Sequence, residues 1–189
     1  MAQTEKGRWT ASTQLSDLTY QTQEGVRAFS GKLTPSAGYF VTNGFVLGTG
    51  IPLGLATQTL DDPLSPSIHT VATSVGLSPF ARYYAGSGKL KFLIGASYSY
   101  SRTSSKLTAG GPDGVVSDRR CYTTTLTPTT GLIYFFSRTI GLSMALNYDI
   151  THQELTAVIS TPVTRREETA SGDNKSLNFS AGLQVFFGK

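Results

Sequence analysis

The side chains that could carry chemistry are few and badly placed for it. The chain has two histidines, His69 and His152, and one cysteine, Cys121. A single cysteine forms no intrachain disulfide, and no Cys/His spacing matches a zinc site. Cys121 reads as a small tolerated side chain, since nothing around it in sequence marks a redox role. His152 and Glu154 make an acid–imidazole pair, because residues two apart on a strand point the same way. Nucleophilic catalysis would also need a hydroxyl within reach of the imidazole. Ser176 and Ser180 are the candidates on the following strand, and their alternation puts them on the opposite face. The expectation is no catalytic centre, no metal and no cofactor.

Mid-strand charges are more informative. Arg82, Lys91 and Asp149 sit on a face otherwise made of Ser, Thr and Gly. If that face is enclosed, the charges must be paired or hydrogen-bonded. The residues point to an interior network of Arg82 and Asp149 with Lys91, Asn147, Asn178 and Gln184. An ion path along the same face is the competing reading. The aromatics that share the face, Phe40, Phe80, Tyr84, Phe135 and Phe186, are expected to plug it.

The elements that must hold these residues are strands. No long segment repeats apolar residues at helical spacing, and none approaches the roughly 18 apolar residues of a spanning helix. Period two recurs instead. Leu33, Pro35, Ala37, Tyr39 and Val41 share one face; Phe45, Leu47, Thr49, Ile51, Leu53 and Leu55 follow the Asn43-Gly44 turn. Val75 to Tyr83, Leu90 to Tyr100, Leu126 to Phe136, Ile140 to Ile150 and Leu177 to Phe187 repeat the pattern. Arg8 to about Ser16 makes a first strand, for eight in all. Short turns are expected near 42–44, 85–89 and 137–139, and long polar connections near 17–27, 58–68, 102–120 and 152–175. Pro35, Pro79 and Pro128 each remove a ladder donor, and local bulges are expected there.

Which face meets what decides the class. Charged residues are only 15% of the chain, against 20 glycines, 9 tyrosines and 10 phenylalanines. The polar face is too poor in charge for open water. It carries Gly38, Gly48, Gly95, Gly131 and Gly182, which would make room inside a narrow tube. The apolar face carries aromatics near the termini and short turns: Trp9, Tyr39, Phe45, Tyr83, Phe92, Tyr134, Phe136 and Phe187. Tyr98, Tyr100, Tyr122 and Tyr148 gather towards the other end. Two aromatic belts suit the two interfaces of a bilayer. Hydrocarbon tolerates no unpaired backbone, so strands cross it only as a closed cylinder. The predicted fold is all-β: a closed, antiparallel, up-and-down transmembrane β-barrel of eight strands. It forms one domain over 1–189, with residues 1–6 flexible. The net charge of +4 is scattered, with small pairs at Arg119-Arg120 and Arg165-Arg166, so no nucleic acid is expected as partner.

"PSAGYF", "PFARYY" and the terminal "GLQVFFGK" resemble the small outer-membrane β-barrel domain proteins of Gram-negative bacteria, notably those common in Bacteroidetes. The architecture is similar to that of OmpX and OmpA-type barrels. The resemblance implies a bacterial outer-membrane location, reached with a signal peptide that "MAQTEKG" does not contain. It implies assembly by the barrel-assembly machinery through Leu183, Val185 and Phe187, although Gly188 and Lys189 follow the late aromatic. Outer-membrane lipids, lipopolysaccharide and a protein at the extracellular loops become the expected partners of a monomer. Some barrels of this kind modify lipid A, which would give His152 and Glu154 a task. The expected role is structural or adhesive, with a plugged lumen and no open pore. A lipid A-modifying enzyme and a soluble lipocalin-like carrier are the alternatives.

Overall fold

The computed structural model describes the backbone over 4–23, 25–62, 65–109, 116–160 and 165–188, and side chains over the same spans except 61–67, 107–118 and 157–168. Among the described residues nine strands run in chain order: β1 Trp9–Gln23, β2 Val26–Thr42, β3 Phe45–Gly50, β4 Leu53–Asp62, β5 Ser65–Ala85, β6 Leu90–Ala109, β7 Val116–Phe135, β8 Ile140–Ser160 and β9 Arg165–Phe187. All pairings are antiparallel. Neighbouring staves pair in sequence order, and β1 pairs with both β2 and β9, so the sheet closes on itself. β3 and β4 lie end to end between β2 and β5 and together make one stave, so the ring has eight. The stave breaks at Ile51 and Pro52, where the chain leaves the ladder for two residues. An even break keeps the alternation in phase: Leu47, Ile51, Leu53 and Leu55 all remain on the outer wall, each close to half exposed.

The wall is inverted relative to a water-soluble barrel. Ile94 and Phe92 are 62% and 66% exposed on the outside, whereas Ser143 and Gln184 are each 1% exposed inside. The buried apolar cluster is small and lies within the ring: Phe40, Val46, Phe80, Tyr84, Leu93, Ile133, Phe135 and Phe186. Glycine makes the room that these rings need. A Cβ on Gly48 would meet the Phe80 ring tip at 2.5 Å, one on Gly95 the Arg82 stem at 2.8 Å, and one on Gly182 the Gln14 stem at 2.9 Å.

Three expectations need correction. The stretches at 17–27, 58–68, 102–120 and 152–175 are not long loops; most of their residues belong to strands that run far past the alternating segments. β8 and β9 reach 21 and 23 residues, about twice the 9 to 11 that a bilayer span needs. The far halves are rich in Thr and Ser, which pair well in sheets. Apolar residues thin out there and strict alternation lapses, while the backbone ladder continues. The prolines do not sit at bulges. Pro79 and Pro128 each leave two residues of one flanking ladder unpaired and the register unshifted: Leu77↔Tyr100 resumes at Phe80↔Ser97, and Leu126↔Ile150 resumes at Thr129↔Asn147. Pro35 keeps its place opposite Thr13, and its carbonyl accepts the Ile51 N–H at 2.9 Å. Register shifts fall elsewhere, at Ser16/Thr19, Phe40/Thr42 and Leu60/Asp62. Finally, the N-terminal stretch is tied down from Thr4 onward. Gly44 N–H donates to the Thr4 carbonyl at 2.7 Å, Lys6 N–H to Asn43 Oδ1 at 2.9 Å, and Gly7 N–H to the Phe40 carbonyl at 2.9 Å.

Candidate functional site: the barrel interior and its wall

The interior divides into an aromatic floor near the short turns and a polar chamber above it. The floor is built from alternate strands of the ring. Phe40 of β2 lies 5.8 Å from Tyr84 of β5 and 6.0 Å from Phe186 of β9, and Phe135 of β7 lies 5.1 Å from Phe186. These strands stand on different sides of the cylinder, so rings in mutual contact must cross its interior. Tyr84 donates its hydroxyl proton to Gln184 Oε1 at 3.0 Å, which satisfies the one polar group on those rings.

The six residues expected to form one network are separated into several. Asp149 accepts from Thr127 Oγ1 at 2.6 Å and from Asn178 Nδ2 at 2.7 Å. Asn147 accepts from Thr129 at 3.0 Å and donates to Ser180 at 2.9 Å. Arg82 makes no ion pair with Asp149. Its guanidinium lies 4.4 Å over the Phe80 ring and donates to Gln14 Oε1 at 2.8 Å. Lys91 is at the other extreme, donating to Thr4 Oγ1 at 2.7 Å, with its ammonium 5.9 Å from the Phe135 centroid. Gln184 belongs to the floor with Tyr84. The charges are thus met by neutral oxygens, hydroxyls and a ring face. Gln14 and Thr4 are the partners missed in the sequence. Their bonds cross between non-adjacent strands or come from the N-terminal stretch, which no local alternation announces.

Above the floor a chamber of about 70 Å³, touched by Phe80, Arg82 and Asp149, leads into a wider one of about 320 Å³ lined by serines, threonines and carboxamides. Near both, Lys32 Nζ and Asp17 Oδ2 lie 4.0 Å apart.

The outer wall carries the expected aromatics near the short-turn end. Trp9, Tyr39, Tyr83, Phe92, Tyr134, Phe136 and Phe187 are exposed; Phe45, opposite Tyr83 in the ladder, is half-buried. Trp9 and Tyr39 lie 5.1 Å apart and Tyr134 and Phe136 5.3 Å apart. At the other height Tyr98, Tyr100 and Tyr148 are exposed, and Tyr100 stacks on Tyr122 at 6.2 Å. Leu183, Val185 and Phe187 all face outward on β9, with Leu183 opposite Thr13 and Phe187 opposite Trp9.

His152 stands past Tyr148 on β8, opposite Thr124 and beside the Tyr122↔Glu154 pair. Its Nδ1–H donates to Asp173 Oδ1 at 2.7 Å, and its Nε2 lies 4.0 Å from Glu154. The hydrogen bond to the Asp173 carboxylate pushes its pKa above the ordinary 6.5. Carboxylates therefore flank both ring nitrogens, and among the described residues no serine hydroxyl bonds to either. Among the described residues no group of three His, Cys, Asp or Glu side chains could hold a metal ion. Arg119 and Arg120 are exposed; the Arg165 and Arg166 side chains lie outside the described residues.

No family model matches the chain, and no curated protein matches it in sequence. Solved structures match it in fold. The outer membrane protein OprG of Pseudomonas aeruginosa is 11% identical with a TM-score of 0.67, and each chain is covered completely. A major outer membrane protein of Thermus thermophilus is 11% identical with a TM-score of 0.55, covering 96% of this chain and 99% of its own. The outer membrane protease OmpT of Escherichia coli is 11% identical with a TM-score of 0.51, covering 96% and 94%. The chain thus has the fold of the outer-membrane β-barrels.

Proposed function

We propose that this chain is an integral barrel of a bacterial outer membrane, closed to solute flow at its short-turn end, with a structural or adhesive role. The observation that carries the reading is the inverted wall. A band of Leu, Ile, Phe and Tyr faces outward, while Ser143, Ser180 and Gln184 are buried inside. Water would punish that arrangement; hydrocarbon requires it. Phe92 and Tyr100 lie on one strand, ~27 Å apart along it. At a tilt of about 40° that is ~20 Å of height, near the ~25 Å apolar band of such barrels. The fold shared with outer-membrane barrels supports the same location.

In this reading the aromatic floor plugs the lumen, and the short turns with both termini face the periplasm. The far halves of the strands stand outside the cell. There Arg119 and Arg120 meet lipopolysaccharide phosphates, and the strand ends meet a protein partner. Leu183, Val185 and Phe187 present the outward pattern read during barrel assembly. The barrel works as a monomer without a cofactor. A non-enzymatic role fits His152, which is held between two carboxylates with no hydroxyl bonded to it among the described residues.

Protein refolded in detergent tests this directly. A gel band that shifts on heating, together with a silent planar bilayer, supports the reading. Monodisperse folded protein without detergent refutes it, and steady conductance refutes the plug.

A further inference from the structure

The ring closes along only part of its last strand. The β1–β9 ladder runs from Trp9↔Phe187 to Ser16↔Ser180 and stops there. β9 goes on to Arg165 with β8 alone beside it, and β1 goes on to Gln23 with β2 alone. The ladder stops where β1 changes course. Its register against β2 shifts between Ser16 and Thr19, and Asp17 takes a φ of 55°, a left-handed conformation uncommon outside glycine. Residues 165–179 of β9 therefore present a strand edge with no partner strand among the described residues. Successive peptide groups alternate in direction, so every second residue of this edge aims its N–H and C=O at the gap.

Exposed apolar side chains flank the gap. Tyr20 is 75% exposed, the most of any large apolar side chain among the described residues, and Leu18 is 65%. Across the gap Leu177 and Phe179 are 68% and 58% exposed. Lys175 shares their face, two residues further on, and makes no ion pair among the described residues.

We propose that this edge takes an extended polypeptide segment of another protein by strand addition. An unpaired ladder is a template for a strand, because only a polypeptide repeats donors and acceptors at the matching interval. The neighbouring side chains set the order. In an antiparallel partner, aliphatic residues sit opposite Phe179 and Leu177, and an acidic residue two places on meets Lys175. The recognised pattern is apolar, any, apolar, any, acidic. A second copy does not fit. Two barrels in one membrane tilt their strands the same way by about 40°, so strands touching between them cross at roughly 80° and cannot form a ladder. An acyl chain can cover Leu18 and Leu177 but leaves the backbone edge unpaired. The inference rests on the proposed membrane reading, which puts residues 165–175 of this edge in water and Leu177 and Phe179, level with Tyr148 and Leu146, at the outer bilayer interface.

The probe is the synthetic peptide acetyl-Thr-Val-Thr-Val-Thr-Asp-Thr amide, added to the full chain in detergent micelles that show the heat-induced gel shift. Backbone NMR shifts confined to 169–179 and 17–20 are expected. N-methylation of the alternate residues facing the edge should weaken binding at least tenfold, and N-methylation of the other set should not. Lys175→Glu should weaken binding several-fold, and exchanging the peptide's Asp for Lys should restore it. Equal binding by both methylated peptides overturns the inference, as does the absence of shifts at the edge. So do shifts there with lipopolysaccharide but not with the peptide. Loss of the gel shift itself overturns the membrane reading instead.

Discussion

Replacing Phe40 with alanine removes the centre of the aromatic floor. Phe40 is fully buried, with two ring partners about 6 Å away, Tyr84 and Phe186. Truncating a buried phenylalanine costs ~3–5 kcal/mol in well-packed interiors. The lost ring pairs account for ~0.5–1.5 kcal/mol each within that sum. A central value of ~4 kcal/mol lowers the folding equilibrium constant about a thousandfold. With a denaturant slope of ~3 kcal/mol/M, the urea midpoint falls by about 1.3 M. The assay is reversible urea unfolding in detergent micelles, followed by the fluorescence of Trp9, the chain's one tryptophan. Phe40→Leu fills most of the space and should recover more than half of the loss. A midpoint shift below about 0.3 M for Phe40→Ala would show that the rings do not pack as a load-sharing cluster, and the proposed plug would go with it.

Other perturbations separate the wall from its ends. Gly48→Val drives a side chain into the Phe80 ring and the Gly38 backbone, so the heat-shifted band should disappear; Gly172→Ala, with open space around it, should leave that band intact. For His152 the folded pKa is raised, so its contribution to stability is full below pH 6.5 and is lost as pH rises through the folded value. A proton NMR titration should find the midpoint above 6.5, and Asp173→Asn should return it towards 6.5; an unchanged midpoint would deny the hydrogen bond. Replacing Phe40 and Phe186 together by alanine should give conductance to a barrel that is otherwise silent in planar bilayers.

The half of this barrel with an apolar outer wall is written plainly in the chain. There one face is Leu, Phe and Tyr and the other is Gly, Ser and Thr, and a ladder fixes which is which. The place of the turn at Asn43 and Gly44 is equally plain, but its type is not the expected I′: Gly44 takes a φ of 79°, whereas Asn43 does not adopt a positive φ. Elsewhere the signal fades for definable reasons. Past the alternating segments apolar residues become sparse and irregular, so β4–β9 lengthen without a clear alternation to announce it. The break at Ile51 and Pro52 keeps the parity of its flanks and therefore leaves no trace in the pattern. Arg82 reaches Gln14, not Asp149, because contacts across the lumen depend on how non-adjacent strands are staggered. Lys91 finds Thr4 because the N-terminal stretch folds under the barrel, a placement set by backbone bonds to Gly44 and Phe40.

Spin labels in lipid vesicles put the inverted wall to its most direct test. In a Cys121→Ser background, one label replaces Ile94 on the outer wall and another replaces Ser143 in the interior. A label at 94 should relax fast with oxygen dissolved in the bilayer and ignore a water-soluble nickel complex, while a label at 143 should be shielded from oxygen. If the label at 94 responds to the nickel complex and the one at 143 to oxygen, the apolar face is not the lipid face, and the whole assignment is wrong.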